Sequence, residues 1–234
     1  MAKNNKYVTE INNSLQASIG SVSRIKKPYS WIGHMYFAKW LICHMNPKIF
    51  VELGTHSGNS YFSVCQAVKE AKLETRCFAV DHWRGDEHSG YYDNGVYEEI
   101  CSYNQKHYAD FSKLLRMEFD EALLEFDDGE IDLLHIDGYH SYSAVKHDFE
   151  FWMPKLSDKG IVLFHDICKI EQGYGVHEFW EEIIEKLPHF SFQHSNGLGV
   201  LLVGEAPNSS VYSNLFEINE KENKKKIRYV FSSL

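Results

Sequence analysis

Ile49–Ser60 reads IFVELGTHSGNS, and this stretch decides the fold. Ile49, Phe50 and Val51 form a short apolar strand that ends in an acid, Glu52. A turn carrying Gly54 and Gly58 follows, and then a helix-like segment, YFSVCQAVKEA. A strand, a glycine turn and a helix N-terminus in succession make a nucleotide pocket. Glycine lets the backbone approach a ligand closely, and the first N–H groups of a helix are unpaired donors. The dinucleotide fingerprint G-x-G-x-x-G is excluded, because the turn has no third glycine at the required spacing. The P-loop is excluded as well, because Asn59 follows Gly58 where a lysine belongs.

The acid ahead of the turn moves the reading away from phosphate. A carboxylate there repels a pyrophosphate but accepts bonds from hydroxyls or pairs with a cation. S-adenosylmethionine (SAM) has hydroxyls, an ammonium and a sulfonium, and no phosphate. A second apolar run, Arg76–Asp81 (RCFAVD), ends in an acid one βα unit downstream, where such folds bond ribose hydroxyls. Ile131–Asp137 (IDLLHID) and Gly160–Asp166 (GIVLFHD) end the same way. Turn chemistry explains one strand-end aspartate. Glu52, Asp81, Asp137 and Asp166 in parallel register would line one edge of a sheet with carboxylates.

The segments VELGTHSGNS, CFAVDHW, IDLLHIDGYHSYSAVKHDFEFW and LSDKGIVLFHDI resemble class I SAM-dependent methyltransferases. The nearest resemblance is to the small-domain group found beside glycosyltransferases and polysaccharide-modifying enzymes, over roughly Ile49 to Gly204. It implies an α/β fold: a doubly wound, Rossmann-like sheet of mostly parallel strands with a reversed last strand and helices on both faces. It also implies cofactor contacts from Glu52, Gly54, Thr55, Ser57 and Gly58 and from the Asp81 carboxylate. His82 and Trp83 would lie beside Asp81, Asp120 near the adenine, and Asp137 at the reacting end.

The chemistry is expected at Asp137-Gly138-Tyr139-His140 and at His165-Asp166. Methyl transfer is an in-line displacement, so positioning the nucleophile supplies much of the rate. A sugar hydroxyl is a poor nucleophile, helped either by a general base or by a divalent ion that stabilises the alkoxide. Asp137 and Asp166 end adjacent strands and would share a hard cation such as Mg²⁺. More distantly, the chain resembles catechol-type and macrolide-sugar O-methyltransferases. These place a metal here and a base three residues after the first metal-binding aspartate, the position of His140. The residue after the second aspartate is Ile167, not an oxygen ligand. His165 would then complete the set with Asp137 and Asp166, as a softer ligand suited to Zn²⁺, Fe²⁺ or Mn²⁺. Of the 13 histidines, His82, His88, His107, His135 and His147 are read as incidental, although the resemblance sets His82 near the cofactor.

With 234 residues and 44% hydrophobic content, the chain suits one α/β domain with short extensions. The expected division is an N-terminal extension (1–30), a methyltransferase domain (31–204) and a polar tail (205–234) that includes Lys224-Lys225-Lys226. A formal charge of −9 argues against nucleic acid or an anionic membrane as partner. Cys43, Cys65, Cys77, Cys101 and Cys168 form no C-x-x-C pair, and no apolar run approaches the ~20 residues of a membrane span. A reduced, cytoplasmic protein is expected. The loop His82–Asn94, with Trp83, Tyr91 and Tyr92, is read as a lid over cofactor and sugar or as a loop packed on the sheet.

The function expected is O-methylation by SAM of a small-molecule or glycan hydroxyl, acting on a carbohydrate or glycosylated metabolite, with a homo-oligomer or a glycosyltransferase as partner. Two other readings stay open. One is a metal-dependent hydroxylase or other non-methyl-transferring enzyme on the same scaffold, with His165, Asp166 and either Asp137 or His140 as iron ligands. The other is a non-catalytic SAM-binding partner of a glycosyltransferase.

Overall fold

The computed structural model describes residues 21–205, 215–216 and 221–233. Residues 1–20 of the expected N-terminal extension fall outside them. The first described helix, α1 (Met35–Met45), follows a 3₁₀ turn and covers the first strand, β1 (Ile49–Leu53). Next come α2 (Asn59–Ala71), β2 (Arg76–Val80), a two-rung ribbon of β3 (Gly85–Asp86) and β4 (Gly90–Tyr91), α3 (Asn94–His107) and β5 (Ser112–Leu115). The second half runs α4 (Phe119–Ala122), β6 (Ile131–Ile136), α5 (Tyr142–Trp152), β7 (Leu156–His165), α6 (Val176–Ile183), β8 (His189–Phe192), β9 (Leu198–Leu202) and α7 (Lys221–Ser232).

Seven strands form one sheet in the order β5-β2-β1-β6-β7-β9-β8. All pairs from β5 to β7 are parallel, and β9 runs antiparallel to both of its neighbours. The expected doubly wound sheet with a reversed last strand is therefore present. Side-chain alternation sorts each strand onto two faces. Phe50, Cys77, Leu133 and Leu163 pack under α1 and α2, whereas Val51, Phe78, Leu134 and Phe164 pack against α5 and α6. Burial of both faces explains why these strands read as continuous apolar runs.

The order reverses between β1 and β6, which opens a crevice beyond their carboxyl ends. Gly54 (φ +85°) turns the chain there, and a Cβ on it would collide with the Asp137 carbonyl. The Asp137 N–H donates to the Leu53 carbonyl at 2.9 Å, so the two strand ends are in backbone contact. Downstream, Ser141 caps α5 by accepting from the Ala144 N–H at 3.2 Å.

Three elements differ from the sequence reading. The loop after β2 contains the β3–β4 ribbon. β7 begins at Leu156, before Gly160. Within the expected tail, α7 places Ile227 and Phe231 in the core against Phe37 and Trp40, so Lys224, Lys225 and Lys226 belong to a packed helix. No helix among the described residues is long and apolar enough to cross a membrane.

Candidate active site

Two cavities of about 390 and 280 Å³ open at the crevice. Gly54, His56, Ser89, Asp137 and His140 line both, so the cavities share a wall. The larger one extends past Asp81 and His82 to Glu118, Phe119, Asp120, Ala144, His147 and Asp148. Six carboxyl groups line it (Asp81, Asp86, Glu118, Asp120, Asp137, Asp148), and among the described residues no lysine or arginine does. The smaller one is walled by Ser30, Thr55, Asn59, Ser60, Lys169, Tyr174 and Asn196.

The glycine turn is held in shape by Asp81. Its Oδ2 accepts from the N–H groups of Thr55 (3.0 Å) and His56 (2.9 Å), and its Oδ1 accepts from Trp83 N–H at 2.6 Å. The strand-end carboxylate thus organises the turn as well as facing the cavity. Gly58, at φ +78°, leads into α2, and a Cβ on it would strike the Phe62 ring. Thr55 and Ser57 lie on the smaller cavity, where the buried Thr55 Oγ1 has no hydrogen-bond partner.

Glu52 is not at the sheet edge. β1 continues through Leu53, and alternation turns Glu52 onto the α1 face, where it is wholly buried. Its Oε2 meets His135 Nδ1 at 2.8 Å, and His135 Nε2 meets Trp31 Nε1 at 3.1 Å. An indole N–H only donates, so His135 Nε2 accepts and Nδ1–H donates to Glu52. Glu52 lines neither cavity, which separates it from the cofactor contacts expected of it. His135, read as incidental, is the structural partner of that acid.

Trp83 also lines neither cavity. Its ring is buried beside Tyr97, with centroids 5.0 Å apart, and its Nε1–H donates to the His56 carbonyl at 3.1 Å. It anchors the loop from beneath. His82 lies on the larger cavity, and its Nδ1 accepts from the Arg84 N–H at 3.0 Å. Asp120, on α4 at the far end, meets His147 Nε2 at 2.9 Å.

Asp137, His140 and Asp166 converge at the shared wall. His140 Nε2 lies 2.9 Å from Asp166 Oδ2 and 3.7 Å from Asp137 Oδ1. Burial lowers the His140 pKa, but the carboxylates of Asp137 and Asp166 outweigh it and raise it to about 9. Burial likewise pushes the Asp137 carboxyl up, yet His165 and His140 hold it well below the usual carboxylate range. His140 Nδ1 and Asp166 Oδ1 are buried without hydrogen-bond partners. One ligand atom each from Asp137, His140 and Asp166 lie within 4.8 Å of one another, a spacing that fits a single cation.

His165 stands behind this group. Its Nδ1 faces Asp137 Oδ1 at 3.2 Å, and its Nε2–H donates to the Ser195 carbonyl at 3.0 Å. Both nitrogens are engaged within the fold, and the group whose spacing could hold a cation is Asp137, His140 and Asp166, without the His165 expected from sequence.

Sequence reasoning missed His56, Tyr174, Lys169 and Asp148. His56 touches both cavities at φ +45°, a conformation its place inside the glycine turn hints at. His88, read as incidental, stacks between Tyr139 (4.4 Å) and Tyr174 (4.5 Å) and lines the smaller cavity.

Comparison with known proteins agrees with this geometry. A family model described as a methyltransferase domain matches residues 51–167. The uncharacterized protein y4gI of Sinorhizobium fredii is 48% identical over 179 residues, covering 76% of this chain and 20% of that protein. The chain therefore spans about a fifth of the length of this curated relative. Among solved structures, the S-adenosylhomocysteine (SAH)-bound methyltransferase PaMTH1 of Podospora anserina superposes with a TM-score of 0.58 at 13% identity, over 85% of this chain and 88% of that one. The O-methyltransferase TomG of Streptomyces achromogenes, in complex with SAM, gives 0.54 at 12% identity, over 85% and 90%. At such identities the likeness is one of fold.

Proposed function

The chain belongs to the methyltransferase-domain family, and from that premise we propose that it transfers a methyl group from SAM to a hydroxyl of a carbohydrate or glycosylated metabolite. The observation that carries the reading is the pair of cavities meeting at Asp137 and His140. The larger one, ringed by acids without a lysine or arginine, disfavours phosphates and suits a cationic, phosphate-free nucleoside. The smaller one offers hydroxyl and amide groups together with the stacked rings of His88 and Tyr174, which suits a polyhydroxylated acceptor.

His140 has the geometry of an oriented base. With Nε2–H held by Asp166, Nδ1 is the nitrogen left to take the acceptor's proton. As it does so, the acceptor oxygen bonds to the sulfonium methyl carbon while the carbon–sulfur bond breaks. A base near 9 is a stronger proton acceptor than an ordinary imidazole, at the cost of being mostly protonated at neutral pH. His165 and Asp137 form a positioning pair behind this centre.

A divalent cation fits the residues present: two carboxylates and an imidazole within 4.8 Å, with Asp166 Oδ1 lacking a hydrogen bond. Asp137 and Asp166 would hold it, and when bound it supplies positive charge that stabilises the developing alkoxide.

The test is calorimetric titration with SAH, followed by transfer of labelled methyl from SAM to a panel of glycosides with EDTA, Mg²⁺ or Mn²⁺. The expected results are SAH binding by wild type and by His140→Ala alike, and a labelled glycoside that only the wild type forms readily. A protein that binds no SAH sinks the assignment. Transfer that EDTA leaves unchanged removes the cation alone.

A further inference from the structure

Lys169 is the one lysine or arginine among the described residues that lines either cavity, and it stands on the smaller one. It belongs to the loop between β7 and α6, where its N–H donates to the Asp166 carbonyl at 3.1 Å. Its Nζ–H donates to the Tyr174 hydroxyl at 2.9 Å, and Nζ lies 4.1 Å from the centre of that ring. The Tyr174 ring is itself fixed, stacked on His88 at 4.5 Å and on His140 at 4.8 Å. Gly175 N–H, next along the chain, donates to the His140 carbonyl at 2.8 Å. Loop and base are thus joined, and the ammonium has already given up the rotamer freedom that binding costs a loose lysine.

Glu171 is the ion-pair partner of Lys169 at 3.5 Å but is exposed, so water screens that pair. Burial works against the Lys169 charge, yet Tyr174, Asp166 and Glu171 outweigh it and hold the pKa above the ordinary lysine value. The group is therefore a standing cation, unsuited to take a proton. Tyr174, whose oxygen accepts from Nζ, keeps its own O–H to donate. An N⁺–H beside an O–H matches the two oxygens of a carboxylate.

Building on the acceptor reading above, we propose that the acceptor is an acidic sugar, a hexuronic acid residue, whose carboxylate is bound by Lys169 and Tyr174 while one of its hydroxyls faces His140. The ammonium is no farther from the His140 ring than the two Tyr174 contacts laid end to end. One pyranose with a hydrogen bond at each end covers that span. Thr55 Oγ1, buried and unpartnered on the same cavity, remains for a ring hydroxyl. A single ammonium balances the single charge of a carboxylate. The second charge of a phosphate ester would face Asp137 and Asp166 on the same cavity uncompensated.

The test pairs methyl hexuronides of the gluco, galacto and manno series with their primary amides, which keep the shape and lose the charge. Binding is read by calorimetry with and without SAH, and transfer with labelled SAM. Wild type is expected to favour at least one hexuronide over its amide by about tenfold or more, the worth of a charge-assisted hydrogen bond. Lys169→Met brings that ratio close to unity, and Lys169→Arg keeps part of it. Tyr174→Phe, which retains the stacked ring, lowers it severalfold. SAH affinity checks that each variant is folded. A ratio near unity in wild type, or one that survives in Lys169→Met, overturns the acidic acceptor and leaves methyl transfer standing. So does a loss in Lys169→Met that is equal for acid and amide, which would place the lysine in the service of Asp166 and His140. Failure of the cofactor reading is separate: wild type then binds no SAH, while hexuronide against amide binding without SAH still reads Lys169.

Discussion

Asp166 holds His140 at 2.9 Å while its own backbone sits at φ +62°. The left-handed conformation swings the residue after β7 back over the sheet edge, so that its carboxylate reaches the ring from the neighbouring strand. Aspartate tolerates that conformation better than most residues. The position of His140 is therefore set by backbone geometry at one strand end and by sequence at the next.

Replacing His140 with Ala is expected to lower methyl transfer by about 10²–10⁴-fold, the usual worth of an oriented base. SAH affinity should be unchanged. Asp166→Asn keeps a residue suited to the left-handed backbone but removes the charge that orients the ring, so it should follow His140→Ala in direction. Single-turnover rates on labelled SAM check both. A variant with full rate and impaired SAH binding would place His140 in cofactor binding.

Gly54 and Gly90 share a positive φ but not their surroundings. At Gly54 a Cβ meets the Asp137 carbonyl, whereas at Gly90 nothing lies within 4 Å. Gly90→Ala should cost only the backbone penalty, about 1–2 kcal/mol. Gly54→Ala adds overpacking of about 1–3 kcal/mol and pushes apart the ends of β1 and β6. It is expected to lower the urea midpoint further and to abolish SAH binding. Equal effects at the two sites would remove the close approach as a requirement of the pocket.

Glu52 tests the difference between an edge acid and a face acid. Glu52→Gln retains a carbonyl oxygen for His135 Nδ1–H, so stability should fall little. Glu52→Ala strands that donor in the core and should cost about 1–3 kcal/mol. The discriminating measurement is SAH affinity in Glu52→Gln, expected to equal wild type. A loss of a hundredfold would return Glu52 to the cofactor site.

The same residue shows where the sequence stops being readable. Asp81, Asp137 and Asp166 each follow the last residue of a strand, so the simple pattern of apolar run and acid locates them at the crevice. Glu52 matches the pattern, but one further apolar residue, Leu53, moves it inward and flips it to a face. His140 stands three residues after Asp137 and His165 directly before Asp166, and neither spacing tells which ring is engaged elsewhere; the bond from His165 to the Ser195 carbonyl, 30 residues away, does. Ile227 and Phe231 stand four residues apart, a helical signal masked by the surrounding lysines. Asp148 is hidden for a related reason, since a lone acid on an amphipathic helix reads as solvated surface.

Asp148 makes the sharpest prediction of pH dependence. Its unfolded pKa is about 3.9, and burial pushes the folded value to about 7. The folded state thus keeps the proton to higher pH than the unfolded chain. Stability from this group is fully present below about pH 4 and is lost as pH rises through about 7. Asp148→Asn removes the titration. The variant should therefore match wild type near pH 4 and exceed it above pH 8, by on the order of 2–4 kcal/mol. Other titrating groups shift both proteins alike, so the difference between their urea stabilities at each pH isolates Asp148. A difference that stays constant from pH 4 to 8.5 would show that Asp148 ionises alike in the folded and unfolded chains.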